Sequence, residues 1–182
     1  ALVLLNESDA EASLMRIESL RALGREWGGA LESAALLLGE EDRRIITLSG
    51  ALALERGEHA KAISSFERAM KLAPLDAEAI FGLGRALIES GERERGLELL
   101  KRHRELTPLL DALDFAERGL DLAPAHAPNH AALGDAWRSL VSADPSAYER
   151  SELAYVMALS LMAISEKVPV HLRRARLIHE HG

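Results

Sequence analysis

His126 and His130 stand four residues apart, the separation at which two imidazoles on one helix face could hold a metal ion. Pro128 lies between them and marks a helix start, and no glutamate follows in the H-E-x-x-H manner, so neither a third ligand nor a general base is at hand. The run GLGRAL at 82–87 offers two glycines of a phosphate-cradling loop, but no strand precedes it and the final glycine is missing. His179 and His181 lie near a chain terminus. The acidic run Glu40, Glu41 and Asp42 suits a solvated loop that ends by capping a helix beginning near Arg43. No serine occupies a G-x-S-x-G elbow, and the carboxylates are dispersed without a polar cluster to shift their pKa values. The reading is therefore a non-enzyme, with no catalytic residues, no metal and no cofactor.

The elements that would have to position such residues are all helical. Alanine, leucine, glutamate and arginine dominate, aromatic residues make up 4% of the chain, and no stretch alternates apolar and polar residues long enough for a strand. The 182 residues, 48% of them hydrophobic, suffice for a buried core. A net charge of −7, from 29 acids against 22 bases spread along the chain, lacks the basic stripe that nucleic acid requires. The apolar opening ALVLL meets Asn6 and Glu7 at once and is too short for a signal-peptide core or a membrane span, so no membrane insertion is expected of this segment. With no cysteine, disulfides and thiol chemistry are excluded, and cytoplasm and periplasm are both compatible.

Apolar residues recur at helical spacing: Ile46, Gly50, Ala53 and Leu54, then Ala62, Phe66, Ala69 and Met70 after a break at Gly57. A shift of 34 carries Gly50 onto Gly84, Gly57 onto Gly91, Ala62 onto Gly96, Phe66 onto Leu100 and Pro74 onto Pro108. Gly50, Gly84 and Gly134 fall where a first helix crosses its partner and a side chain would force the two apart; Ala62 and Ala69 admit close approach from the other helix. Pro74 and Pro108 are expected to end their pairs. One pair cannot bury its own apolar face, so neighbours must stack.

The stretch SGALALERGEHAKAISSFERAMKLAPLD closely resembles the tetratricopeptide repeat, whose pattern is W-x2-L-G-x2-Y, then A-x3-F, then P, with the strongest match over residues 43–110. The resemblance implies an all-α solenoid of stacked antiparallel helix pairs. HAALGDAW at 130–137 is identified as a first helix, with Leu133, Gly134 and Trp137 at packing places, and LRALGREW at 20–27 as an earlier one. Both tryptophans are read as core filling.

The expected organisation is one array: divergent helices over 1–42, repeats at 43–76 and 77–110, a half repeat at 111–126, a divergent repeat at 127–168 and a capping helix at 169–182. From Pro108 to Pro124 is only 16 residues, 34 − 16 = 18 short of a repeat, so the first helix of that pair is expected to be missing from the sequence. Gly24 to Gly50 is likewise 26, or 8 short. A helix rich in Met and Leu is expected to run toward Lys167 until Pro169 stops it, and the terminal helix should turn Leu172, Ala175, Leu177 and Ile178 to the array.

Stacked pairs of this kind line their concave surface with first helices. Helical spacing selects Arg44, Thr47, Ala51 and Leu54, then Glu78, Phe81, Arg85 and Ile88, then Ala131, Asp135 and Arg138 as groove candidates, because these positions face away from the packing side. The lysine, asparagine and arginine clamp by which some such proteins grip acidic C-termini is replaced here by Thr47, Ala51, Gly82, Pro128 and Ala132. The resemblance implies a non-catalytic scaffold that binds a protein segment or another copy of itself through the concave face. The alternative is a regulatory or substrate-docking arm of a larger enzyme.

Overall fold

The computed structural model describes residues 2–162 and 167–181, with side chains over 9–162 and 169–180. Among the described residues there are nine helices and no strand: α1 (Leu2–Ala22), α2 (Gly28–Leu38), α3 (Arg43–Glu55), α4 (His59–Leu72), α5 (Ala77–Glu89), α6 (Arg93–Leu122), α7 (Ala127–Leu140), α8 (Ala147–Leu161) and α9 (Lys167–His181). The chain divides into two compact units, Ala1–His103 and Arg104–Gly182, with the division falling inside α6.

In the first unit α1 pairs with α2, α3 with α4, and α5 with the opening turns of α6. Each first helix ends in the same reversal. Gly24, Gly57 and Gly91 adopt φ of +62°, +72° and +100°, a region in which only glycine is unstrained. At each one the glycine N–H bonds back three residues and the following N–H bonds back five, closing the helix end. The interval from Gly24 to Gly57 is 57 − 24 = 33 residues, and from Gly57 to Gly91 it is 34.

That register corrects the expectation for LRALGREW. The segment is the last turn of α1 and the loop after it, not a first helix, and Gly24 corresponds to Gly57 rather than Gly50. The apparent shortfall of 8 residues disappears with the reassignment. Trp27 stands just before α2, buried, with its indole N–H donating to Glu55 Oε2 at 2.8 Å.

Within the pairs the small residues stand where crossings require them. A Cβ on Gly50 would lie 2.9 Å from the Phe66 ring, one on Gly84 2.9 Å from Leu100 Cδ2, and one on Gly134 2.5 Å from Tyr155 Cε1. Gly82 presses on the Phe66 ring from the next repeat, so one aromatic side chain from α4 fills the space left by glycines of α3 and α5. Asp42 caps α3 through Arg44 N at 2.8 Å, and Asp76 caps α5 through Ala79 N at 3.0 Å.

Pro108 does not end its pair. α6 is a single helix of 30 residues with Pro108 inside it, and no first helix intervenes before Asp111. Proline removes one intrahelical amide and crowds the preceding turn, but the helix continues past it into the second unit. There Leu106, Leu113 and Ala116 are buried at helical spacing. Asn129 Nδ2 donates to the Gly119 carbonyl at 2.6 Å, which ties the start of α7 to the end of α6.

α7 and α8 form the divergent pair of the second unit. Ser151 Oγ donates to the Gly134 carbonyl at 2.7 Å, and the buried Tyr155 hydroxyl donates to Asp135 Oδ1 at 2.7 Å. α8 ends at Leu161, short of the expected Lys167, and Pro169 lies in the first turn of α9, where its missing N–H costs nothing. Residues 163–166, across which the earlier helix was expected to continue, lie outside the described residues. Of the face expected to meet the array from the terminal helix, Leu177 is buried, while Leu172, Ala175 and Ile178 are exposed; Val170 is also buried.

Candidate protein-interaction surface

The first helices of unit one, α1, α3 and α5, are laced together on one side by charged pairs. Arg21 of α1 reaches Glu55 of α3 at 3.8 Å and Glu78 of α5 at 2.8 Å, and its guanidinium lies 5.1 Å from the Trp27 ring centroid. Arg44 of α3 meets Glu11 of α1 at 3.0 Å and Asp42 at 3.0 Å. The Arg44 guanidinium, hydrogen-bonded to Asp42, holds that carboxyl below the usual carboxylate range. Arg43 Nη1 and Thr47 Oγ1 both donate to Asp76 Oδ2, at 2.7 and 3.0 Å, so the cap of α5 is also anchored to α3. Partly exposed pairs of this kind contribute about 0–1 kcal/mol each, and their number matters less than the orientation they impose.

Two hollows open along this side. One, of about 110 Å³, is lined by Arg21, Ala51, Leu54, Glu55, Phe66, Glu78, Phe81, Gly82 and Arg85. The other, of about 130 Å³, lies among Leu14, Glu18, Arg21, Arg43, Arg44, Thr47, Leu48, Asp76 and Glu78. Phe81 is 42% exposed on a helix whose neighbouring Ala79, Ile80, Gly82 and Leu83 are buried, and its ring stands 5.2 Å from that of His103, tilted by 48°. Arg85 is exposed and pairs with Glu89 one turn on at 3.1 Å.

Leu54, Glu78, Phe81 and Arg85 are thus brought to one hollow, and Arg44, Thr47 and Glu78 to its neighbour. Thr47 is only 3% exposed and acts as a donor to Asp76, so it belongs to the floor rather than to an open surface. Ala51 is likewise buried. Ile88 departs from expectation: its Cγ1 lies 2.6 Å from where a Cβ of Gly96 would stand, so it fills the close crossing of α5 with α6 instead of projecting from the packing side. The candidates from α7 lie in the second unit. Asp135 accepts from Tyr155 and, at 2.8 Å, from Arg173, Arg138 is half-buried and Ala131 is buried.

Arg21 and Glu55 belong to the surface and were not selected from sequence. Arg21 sits in the divergent amino-terminal stretch, where the register error at Gly24 concealed that α1 is a first helix. Glu55 is the last residue of α3, and no sequence pattern marks it as the partner of Trp27.

His126 and His130 each have a structural partner. His126 Nδ1 lies 3.1 Å from Asn129 Oδ1, and His130 Nε2 lies 2.7 Å from the Pro124 carbonyl, so both imidazoles close the turn between α6 and α7. GLGRAL lies inside α5, with its glycines against Phe66 and Leu100.

Residues 53–111 match the family model described as tetratricopeptide repeat. That stretch is similar to tetratricopeptide repeats, in keeping with the antiparallel helix pairs α3–α4 and α5–α6. No curated protein matches it significantly. Among solved structures, MamA residues 41 to the end from Desulfovibrio magneticus RS-1 is 18% identical, with 94% of this chain and 84% of that one covered and a TM-score of 0.37. A MamA RS-1 ArsTM double mutant gives the same values. A putative protein binding protein from Bacteroides ovatus ATCC 8483 is 10% identical over 95% of this chain and 100% of that one, with a TM-score of 0.35. At such TM-scores the overlays carry no argument.

Proposed function

We propose that the side of unit one lined by α1, α3 and α5 binds a segment of a partner polypeptide, without catalysis, with Phe81 and Leu54 as apolar anchors and Arg21, Glu55, Glu78 and Arg85 as the polar rim. The observation that carries this reading is Phe81, an aromatic side chain left 42% exposed beside a hollow of about 110 Å³. Sites for whole small ligands usually enclose about 300–1,000 Å³. A hollow this small admits one side chain of a bound segment, and the neighbouring hollow admits another. An aromatic anchor surrounded by polar groups that exclude water is the usual composition of a binding hot spot.

The test is capture of partner from the native source by the full chain. Phe81→Ala combined with Arg85→Ala should weaken capture by at least about tenfold, the loss of one good anchor. Far-UV circular dichroism and the unfolding transition should stay unchanged. Capture equal to that of the parent would remove the groove assignment.

A further inference from the structure

α8 carries apolar side chains on two opposite sides. Ser151, Ala154, Tyr155, Ala158 and Leu159 form the buried side, packed in unit two against α7 and α9. Leu153, Val156, Met157 and Leu161 form the other and are 64, 41, 43 and 43% exposed. A helix that is apolar all round is ordinarily a buried helix, so the second stripe lacks a cover.

We propose that this outer face of unit two binds a second copy of the chain, the two α8 helices crossing on a two-fold axis at Met157. The spacing of the stripe favours a copy of itself over a foreign partner. Leu153 and Leu161 lie at equal distances, 157 − 153 = 161 − 157 = 4, on either side of Met157. Reversal of the helix direction therefore maps the ridge onto itself, with Leu153 against Leu161 of the other copy and Met157 against its counterpart. Ridges of residues four apart interdigitate with one another at about −50°, the commonest helix crossing. An interface that contacts the same patch on both partners is also what two-fold symmetry demands.

Charge agrees with that occupant. The chain carries a net charge of −7, yet from Leu153 to Met162 no side chain is charged, so the stripe is a place where two copies meet without like-charge repulsion. Glu149 and Arg150 precede the stripe and would border it at both ends of the crossing.

Sedimentation and light scattering of the full chain from low to high micromolar concentration should show a mass that rises to twice that of one chain and stops there. Met157→Glu should weaken this association by at least about tenfold, because both copies then place a carboxylate in the crossing. Its circular dichroism and Trp137 fluorescence should match the parent. Because the chain has no cysteine, Met157→Cys introduces one thiol on the axis. It should oxidise to a linked dimer much faster than Glu94→Cys in the first turn of α6, and this comparison stands even if Met157→Glu disturbs folding. Phe81→Ala with Arg85→Ala should leave the dimer intact, which separates this interface from the groove. A single-chain mass at the highest concentration, open-ended growth beyond a dimer, undiminished association of a folded Met157→Glu variant, or equal cross-linking of the two thiol variants would each overturn the proposal.

Discussion

Replacement of Gly82 by alanine should destabilise the first unit, although alanine is the better helix former. In an exposed helix interior the exchange gains about 1 kcal/mol. Here the new methyl would collide with the Phe66 ring, which is about 1% exposed and has Gly50 against its Cδ1 and Cε1 edge, where a Cβ would stand 2.9 Å away. The ring cannot retreat without driving α3 from α4. Overpacking of a rigid core costs about 1–3 kcal/mol, and the absence of any escape route places this site near the upper end. The net loss should be about 2 kcal/mol after the propensity gain is subtracted. Denaturant unfolding in a Trp137→Phe background, followed by Trp27 fluorescence, reads the first unit by itself and avoids treating a repeat array as one two-state system. Phe66→Leu removes the colliding ring, so the double variant should be more stable than the sum of the two single losses by at least about 1 kcal/mol. Stabilisation of Gly82→Ala by the propensity term, or strict additivity in the cycle, would show that Phe66 is not wedged between the two repeats.

Asp76→Ala should cost about 2–3 kcal/mol, because it deletes the α5 cap and leaves the buried Thr47 hydroxyl without its acceptor, whereas Asp76→Asn, whose one oxygen keeps the cap while its NH2 can donate to a reversed Thr47 hydroxyl but takes the acceptor from Arg43, should lose about 1–2 kcal/mol; denaturant titration of the pair checks the difference. Tyr155 sets an alkaline limit on the second unit: burial first, and the hydrogen bond to Asp135 second, raise the pKa of its phenol, so the stabilisation is fully present below the unfolded value of about 10 and is lost as pH rises from there toward the folded value. The stability gap between parent and Tyr155→Phe, followed by Trp137 fluorescence, should be constant below about pH 10 and narrow above it by up to ~1.4 kcal/mol per pH unit; a gap independent of pH would refute the assignment.

The repeat was legible because its packing leaves a residue-type signature. Gly50, Gly84 and Gly134 are small for a reason local to each helix crossing, and the same reason recurs at each. Asp42 was legible for a similar cause, since a cap is chemistry between neighbours in sequence. The error at Gly24 shows where that logic stops. A glycine permits both a close crossing and a left-handed turn, and the flanking leucine and tryptophan of LRALGREW imitate the crossing context. The deciding fact is the φ of +62° with its two backward hydrogen bonds, which is a property of the backbone rather than of residue type.

Pro108 and Ile88 failed for the complementary reason. A proline is a strong helix stop only when nothing beyond it favours helix, and here Leu109 to Leu122 offers the spaced apolar residues Leu113 and Ala116 that pack in the second unit. Ile88 was assigned to the groove by angular position alone. The replacement of Ala62 by Gly96 in the next repeat leaves a gap at the helix crossing, and Ile88 fills it. Phe81 meets no such gap and stays 42% exposed, whereas Ile88 is partly buried. The same comparison explains why Arg21 escaped notice: its role depends on Glu55 and Glu78, carboxylates contributed by two later helices, and no pattern within α1 itself encodes where those helices will stand.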